Sequence, residues 1–247
     1  VEITHSINFL FSVLSVIGFY LIIKIFFNKS IAILASLLTL LNPFFFGHMG
    51  MNPKDIIIFF SLIWFCYFFY KYLNYEKNIY LNLILASFFI GFGCGIRVSF
   101  LAIVFPVFLC GSVYFIKKSK DKYLNLIKRF IFHFILSFSV IILLTILCWP
   151  HIHENSLLLL FSAIKNSIVW NAGPTLGLID GSFYETHNTP STYFLNILKF
   201  RIPFFLSILI FFSYSLIITN NNISKKYIRN FDNKFIIINI IIFFPII

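Results

Sequence analysis

The densest collection of chemically competent side chains is the run Asn42-Pro43-Phe44-Phe45-Phe46-Gly47-His48-Met49-Gly50-Met51-Asn52-Pro53-Lys54-Asp55. His48 brings an imidazole, Lys54 an ammonium and Asp55 a carboxylate. A carboxylate in this setting could hold a divalent metal such as Mg or Mn, or accept a proton, and a cation beside it could bind phosphate. The competing reading is an ordinary helix start, with Pro53 at the first position and Asp55 in the first turn, where a negative charge favours the helix dipole. A second stretch, Gly91-Phe92-Gly93-Cys94-Gly95-Ile96-Arg97, sets a guanidinium after glycines at GxxxG spacing. That spacing permits close helix contact, and Arg97 is either a phosphate clamp or a snorkelling anchor. A third, Asp180 to Phe194 followed by Lys199 and Arg201, combines Glu185, His187 and Tyr193 with amides and hydroxyls. Hydrogen-bonding groups beside aromatic rings suit a sugar, although a solvated loop with Tyr193 at the membrane interface has the same composition. No P-loop, HExxH or GxSxG motif is present. His151, His153 and Glu154 read as surface residues, and His133 as a packed helix residue.

The elements that must hold these residues are membrane helices. Across 247 residues, 60% are hydrophobic and only 11% charged, whereas a soluble domain carries about 25% charged residues. Such a chain lacks the polar surface to cover a soluble fold. Continuous apolar runs near 7–27, 31–46, 56–72, 81–96, 98–116, 131–149 and 202–219, with another from 235, predict an all-α polytopic protein of seven to eight membrane segments. The runs at 31–46 and 81–96 are short for spans, which implies tilt, extension by flanking residues or a partly re-entrant path. Strands of a β-barrel would alternate in polarity, and these runs do not. Residues 1–247 read as a single transmembrane domain, with 150–201 as a long non-cytoplasmic loop containing an interfacial helix at 156–170. The four cysteines all fall in apolar runs without metal-ligand spacing, and read as small buried hydrophobes.

The net charge of +11 is distributed by location rather than gathered into a nucleic-acid patch. One set of alternating connections carries Lys24, Lys29, Lys71, Lys77, Lys117, Lys118, Lys120, Lys122, Lys128, Arg129, Lys225, Lys226, Arg229 and Lys234. The other has Lys54, Arg97, Lys165, Lys199 and Arg201. Cytoplasmic loops collect Lys and Arg, so the first set marks the cytoplasm and the chain start lies on the opposite face. His5, His48, His151, His153 and His187 cluster on that opposite face, so polar chemistry is expected outside. The opening Val1 and the apolar run at the end suggest a piece of a longer protein.

The run Pro43 to His48, followed by Asn52-Pro53-Lys54-Asp55-Ile56, resembles bacterial GT-C membrane glycosyltransferases of the Rgt-like and dolichyl-phosphate-mannose-protein mannosyltransferase-like kind. Gly95-Ile96-Arg97 is similar to that family's glycine-plus-arginine turn, and Thr189 to Phe194 to its aromatic segment before a late span, with Ser191 and Thr192 standing where aromatics would be. The resemblance implies transfer of a sugar from a polyprenyl-phosphate donor to a glycan, lipid or protein acceptor, on the periplasmic or extracellular side of a bacterial inner membrane. It assigns Asp55 to metal or donor-phosphate contacts, Arg97 and Lys54 to the phosphate, His48 to support of the catalytic site, and Glu185, His187 and Tyr193 to the substrate. It also implies a key acid in a first external loop upstream of residue 1. Two other functions fit the same composition. A transporter or lipid flippase would use the Gly/Pro-interrupted helices as a pathway, and a non-enzymatic scaffold would not depend on Asp55 or Arg97.

Overall fold

The computed structural model describes residues 2–75, 77–118, 123–149, 153, 156–168, 176–179, 182–185, 192 and 208. Eight α-helices precede one β-hairpin among them: α1 (Glu2–Phe26), α2 (Lys29–Leu40), α3 (Pro43–Met51), α4 (Pro53–Asn74), α5 (Ile79–Ile96), α6 (Phe100–Lys118), α7 (Tyr123–Cys148), α8 (Ser156–Ile168), then β1 (Leu176–Ile179) and β2 (Ser182–Glu185). The chain divides into two compact units, with α1–α7 in the first and the hairpin in the second.

Asparagine starts three of these helices for a common reason. The first amides of a helix have no partner within it, and a short side-chain carbonyl can accept from them. Asn28 accepts from Ile31, Asn42 from Phe44 and Phe45, and Asn52 from Asp55. In α3 and α4 a proline follows at once, where its fixed φ suits a helix start and its missing N–H costs nothing. The second Asn-Pro pair therefore ends one helix and begins the next.

Four described helices, α1, α4, α5 and α7, are long and apolar enough to cross a membrane, and α2 with α3 makes a fifth crossing if the pair is one bent span. The run at 31–46 is thus not a single straight helix. It breaks at Leu41–Asn42 with a bend of 65° between α2 and α3, because Pro43 cannot donate to a continuing helix and Asn42 caps a new one. The helix containing 131–149 begins earlier than its apolar run, at Tyr123, since Asn125, Lys128 and Arg129 extend it past the apolar stretch. The expected segments at 202–219 and from 235 lie outside the described helices. The stretch expected as an irregular loop after α8 contains the hairpin instead, in antiparallel register from Leu176 opposite Glu185 to Ile179 opposite Ser182.

In the first unit α4 is central, packed between α1 and α5, and α5 packs in turn on α7. Small residues set both outer contacts. Gly18 of α1 faces Ile63 and Trp64 so closely that an added Cβ would lie 2.7 Å from the Ile63 side chain. Gly91 and Gly95 of α5 face Ile141, Leu144 and Cys148 of α7 in the same way. Helices in lipid associate by close packing rather than by water exclusion, so such stripes decide which faces meet. Buried polar side chains are bonded in place: Trp64 Nε1 donates to the Leu14 carbonyl at 3.2 Å, and the Tyr72 hydroxyl meets His133 Nδ1 at 2.8 Å. His133 is the packed residue that its sequence context suggested.

Candidate active site

The start of α1, the end of α3, the start of α4, the turn from α5 into α6 and the end of α7 lie at one end of this helix assembly. Asn52 organises the α3–α4 junction there. Its backbone N–H donates to the His48 carbonyl at 3.1 Å, closing α3. Its side-chain oxygen accepts from the Asp55 amide at 3.1 Å, and its side-chain nitrogen donates to Asp55 Oδ2 at 2.6 Å. This reciprocal arrangement is a capping-box variant and fixes the Asp55 carboxylate in direction.

Arg97 reaches the same carboxylate from the opposite side of the junction. It ends α5 in an extended conformation (φ −154°, ψ 116°), and its N–H donates to the Gly93 carbonyl at 3.0 Å. Its own carbonyl accepts from Phe100 at 2.9 Å, which opens α6. The guanidinium nitrogen stands 3.9 Å from Asp55 Oδ1, with both side chains 55% exposed. At that separation the pair is electrostatic rather than tightly hydrogen-bonded, and solvent screening holds its worth to about 0–1 kcal/mol. The half-exposed guanidinium is therefore not tied up by a tight bidentate pair with Asp55.

The helix-cap reading of Asp55 is realised in one carboxylate oxygen, while the other faces Arg97. Lys54, next in the same first turn, is exposed. His48 lies one turn before Asn52 with its ring 4.3 Å from that of Phe44, so its described ring contact is with its own helix. Glu185 is exposed on β2 in the second unit, opposite Leu176. His187 and Tyr193 lie outside the described residues.

A divalent metal was one expectation for Asp55. Among the described residues no group of three His, Cys, Asp or Glu side chains is placed to hold a metal ion, and the groups facing Asp55 are an amide and a guanidinium. The described donor set does not fit a metal site.

Residues 5–149 match the family described as dolichyl-phosphate-mannose-protein mannosyltransferase, a region that covers more than half of the chain and contains Asp55, Arg97 and the whole of α4–α7. The chain belongs to this family. It is thus a GT-C-type membrane glycosyltransferase, and Glu185, His187 and Tyr193 fall beyond the matched region. No curated protein and no solved structure matches the chain.

Two supports of the Asp55–Arg97 junction in this mannosyltransferase-family chain have no obvious sign in the sequence. The indole N–H of Trp149, just past α7, donates to the Gly95 carbonyl, two residues before Arg97. On α1, His5, Asn8 and Ser12 bond to the last carbonyls of α3. Their 3,4-spacing was the available signal, but polar residues in an apolar helix reveal a face and not its partner.

Proposed function

We propose that this protein transfers a sugar from a polyprenyl-phosphate donor at the non-cytoplasmic membrane face, with Arg97 and Lys54 meeting the donor phosphate and Asp55 facing the Arg97 guanidinium across the site. The observation that carries this reading is the loose, half-exposed Arg97–Asp55 pair built by two different helices at one end of the assembly. A guanidinium can take phosphate through paired N–H donors, and the carboxylate fixed by Asn52 stands beside it without a tight bond to displace. In the reaction the bond between the anomeric carbon and the phosphate oxygen breaks, its electron pair leaving on the phosphate. The acceptor oxygen forms the new bond to that carbon and loses its proton to an external carboxylate. Cations at Arg97 and Lys54 stabilise the charge that grows on the departing phosphate.

The strong excess of Lys and Arg at the other helix ends supports the non-cytoplasmic assignment. A coupled ion transporter fits less well. The buried polar side chains among the described residues are Asn, Ser, Thr and His, with no Asp, Glu, Lys or Arg, whereas ion-coupled pathways use ionisable residues within the spans.

The test uses full-length protein in proteoliposomes with a polyprenyl-phosphate sugar as donor. Arg97→Ala and Asp55→Asn should each lower transfer by about 100-fold, the scale of losing one positioned stabilising group, while insertion is retained. Wild-type turnover in both variants rejects the assignment.

A further inference from the structure

Pro53 is required at the start of α4 by its fixed geometry, yet it leaves a deficit in the helix before it. The carbonyl of Met49 would ordinarily accept from the residue four positions on, which is Pro53 and has no N–H. The Gly50 carbonyl loses its helical partner as well, because Asn52 at φ −109° and ψ 91° turns the chain out of the helix. Such orphaned carbonyls are costly where water is scarce.

The side chains of α1 answer this deficit. Ser12 Oγ, whose one proton is shared with the Asn8 carbonyl at 2.9 Å, lies 3.3 Å from the Met49 carbonyl, and Asn8 Nδ2 donates to the Gly50 carbonyl at 3.4 Å. His5 Nδ1 also bonds the Gly50 carbonyl. Because a carbonyl only accepts, the proton of this contact is on Nδ1 of His5. Ser12 and Asn8 are buried, and their donors have an evident structural purpose. His5 differs, since it is exposed and water at that height could satisfy Gly50 equally well. What water cannot do is fix the direction of the carbonyl, two residues before the Asn52 cap that orients Asp55.

We infer that His5 is a positioning residue, which by holding the Gly50 carbonyl sets the Asn52–Asp55 cap and hence the placement of the Asp55 carboxylate against Arg97. This inference rests on the site reading given under Proposed function. His5 touches neither reacting atom. Its effect passes through the main chain of Gly50, Met51 and Asn52.

Three variants of the full-length protein test it, His5→Phe, His5→Gln and, as the control on the site, Arg97→Ala. Hydrogen exchange across residues 49–56 is measured beside transfer kinetics with a polyprenyl-phosphate sugar. His5→Phe removes the donor and should speed exchange at the Asp55 and Ile56 amides. It should also lower kcat by about tenfold, the scale expected for a small displacement of a reacting group, with a smaller change in KM and no change in melting temperature. His5→Gln retains an N–H donor and should restore at least half of both readouts. Unchanged exchange in His5→Phe, or equal damage from Phe and Gln, overturns the inference. So does unchanged turnover in His5→Phe where Arg97→Ala is inactive. If Arg97→Ala itself turns over normally, it is the site reading that fails, and the exchange data still decide whether His5 orders the junction.

Discussion

Gly95 is the position at which packing and chemistry are most directly joined. A Cβ there would lie 2.4 Å from Cys148 Cβ and 2.9 Å from its Sγ, whereas ordinary contact begins at 3.4 Å. In Gly95→Ala the ends of α5 and α7 must therefore separate by about 1 Å, since the Cβ of Cys148 cannot rotate away and moves only with its own backbone. Two opposing effects give the sign. Alanine is the better helix former by about 0.8–1.0 kcal/mol, so a glycine in open space would gain stability on substitution. Overpacking costs about 1–3 kcal/mol, and the gap here is well inside the range that real contacts avoid, so net destabilisation is expected. The same movement strains the bond from Trp149 to the Gly95 carbonyl and shifts Arg97 two residues away. Gly95→Ala should therefore melt earlier in detergent and lose transfer beyond its stability loss. Adding Cys148→Gly removes the offending Cβ and should return both, as a coupling of about 1 kcal/mol or more in a double-mutant cycle. If Gly95→Ala is as stable as the parent, or if the two substitutions simply add, the close α5–α7 contact does not govern the placement of Arg97.

Other expectations follow from the bonded pairs. Asn52→Ala removes both the cap acceptor and the amide on Asp55, and should cost about 0.5–2 kcal/mol by denaturant titration together with most of the transfer activity; retained activity would show that Asp55 needs no orientation. Asp55→Asn, by contrast, should change stability by no more than about 1 kcal/mol, because its ion pair is half exposed at 3.9 Å, and a large fall in melting temperature would mean the pair is structural. Tyr72→Phe takes the hydroxyl from buried His133 and should destabilise by about 1–3 kcal/mol while leaving transfer intact below the melting transition, as this pair lies at the opposite end of α4 from Asp55. Loss of transfer without loss of stability would contradict that separation.

What could be read without coordinates was whatever local chemistry dictates. The Asn52-Pro53 pair marks a helix start because capping and the missing proline N–H act within a few residues, and α4 starts at that position. The GxxxG spacing of Gly91 and Gly95 announced a close contact but not its partner, which Leu144 and Cys148 supply from far along the chain. Apolar runs anticipated α1, α4, α5 and α7, the four described helices long and apolar enough to cross a membrane, against the seven to eight segments expected, but not where those helices end, since a helix continues through polar residues, as α7 does from Tyr123. The same averaging hid the break before Pro43, because its flanks are equally apolar. Asp55 and Arg97 were each recognisable as boundary charges. Their approach depends on how α4 packs against α5, a relation between separate helices that no single apolar pattern encodes. The α1 clasp was hidden more deeply, since its acceptors are main-chain carbonyls and have no side-chain signature at all.

The Asn52-Pro53-Lys54-Asp55 stretch thus has two sets of obligations that pull on the same atoms. Starting α4 requires the proline and the asparagine cap, and the proline in turn deprives α3 of its last backbone donor. The deficit is met by α1, which reaches the junction through a face of Asn8, Ser12, Ser15 and Gly18 that also packs on α4. Movement of α1 relative to α4 would consequently be felt at Gly50 before it was felt at Asp55. Arg97 is tied independently through Gly95 to α7 and Trp149. The carboxylate and guanidinium are therefore held by different neighbours, and their 3.9 Å separation is set by two packings rather than by their own attraction. A pair bound chiefly to itself would be slow to admit a phosphate. On the proposed reading, one held apart from behind would accept the donor phosphate without the helices having to rearrange.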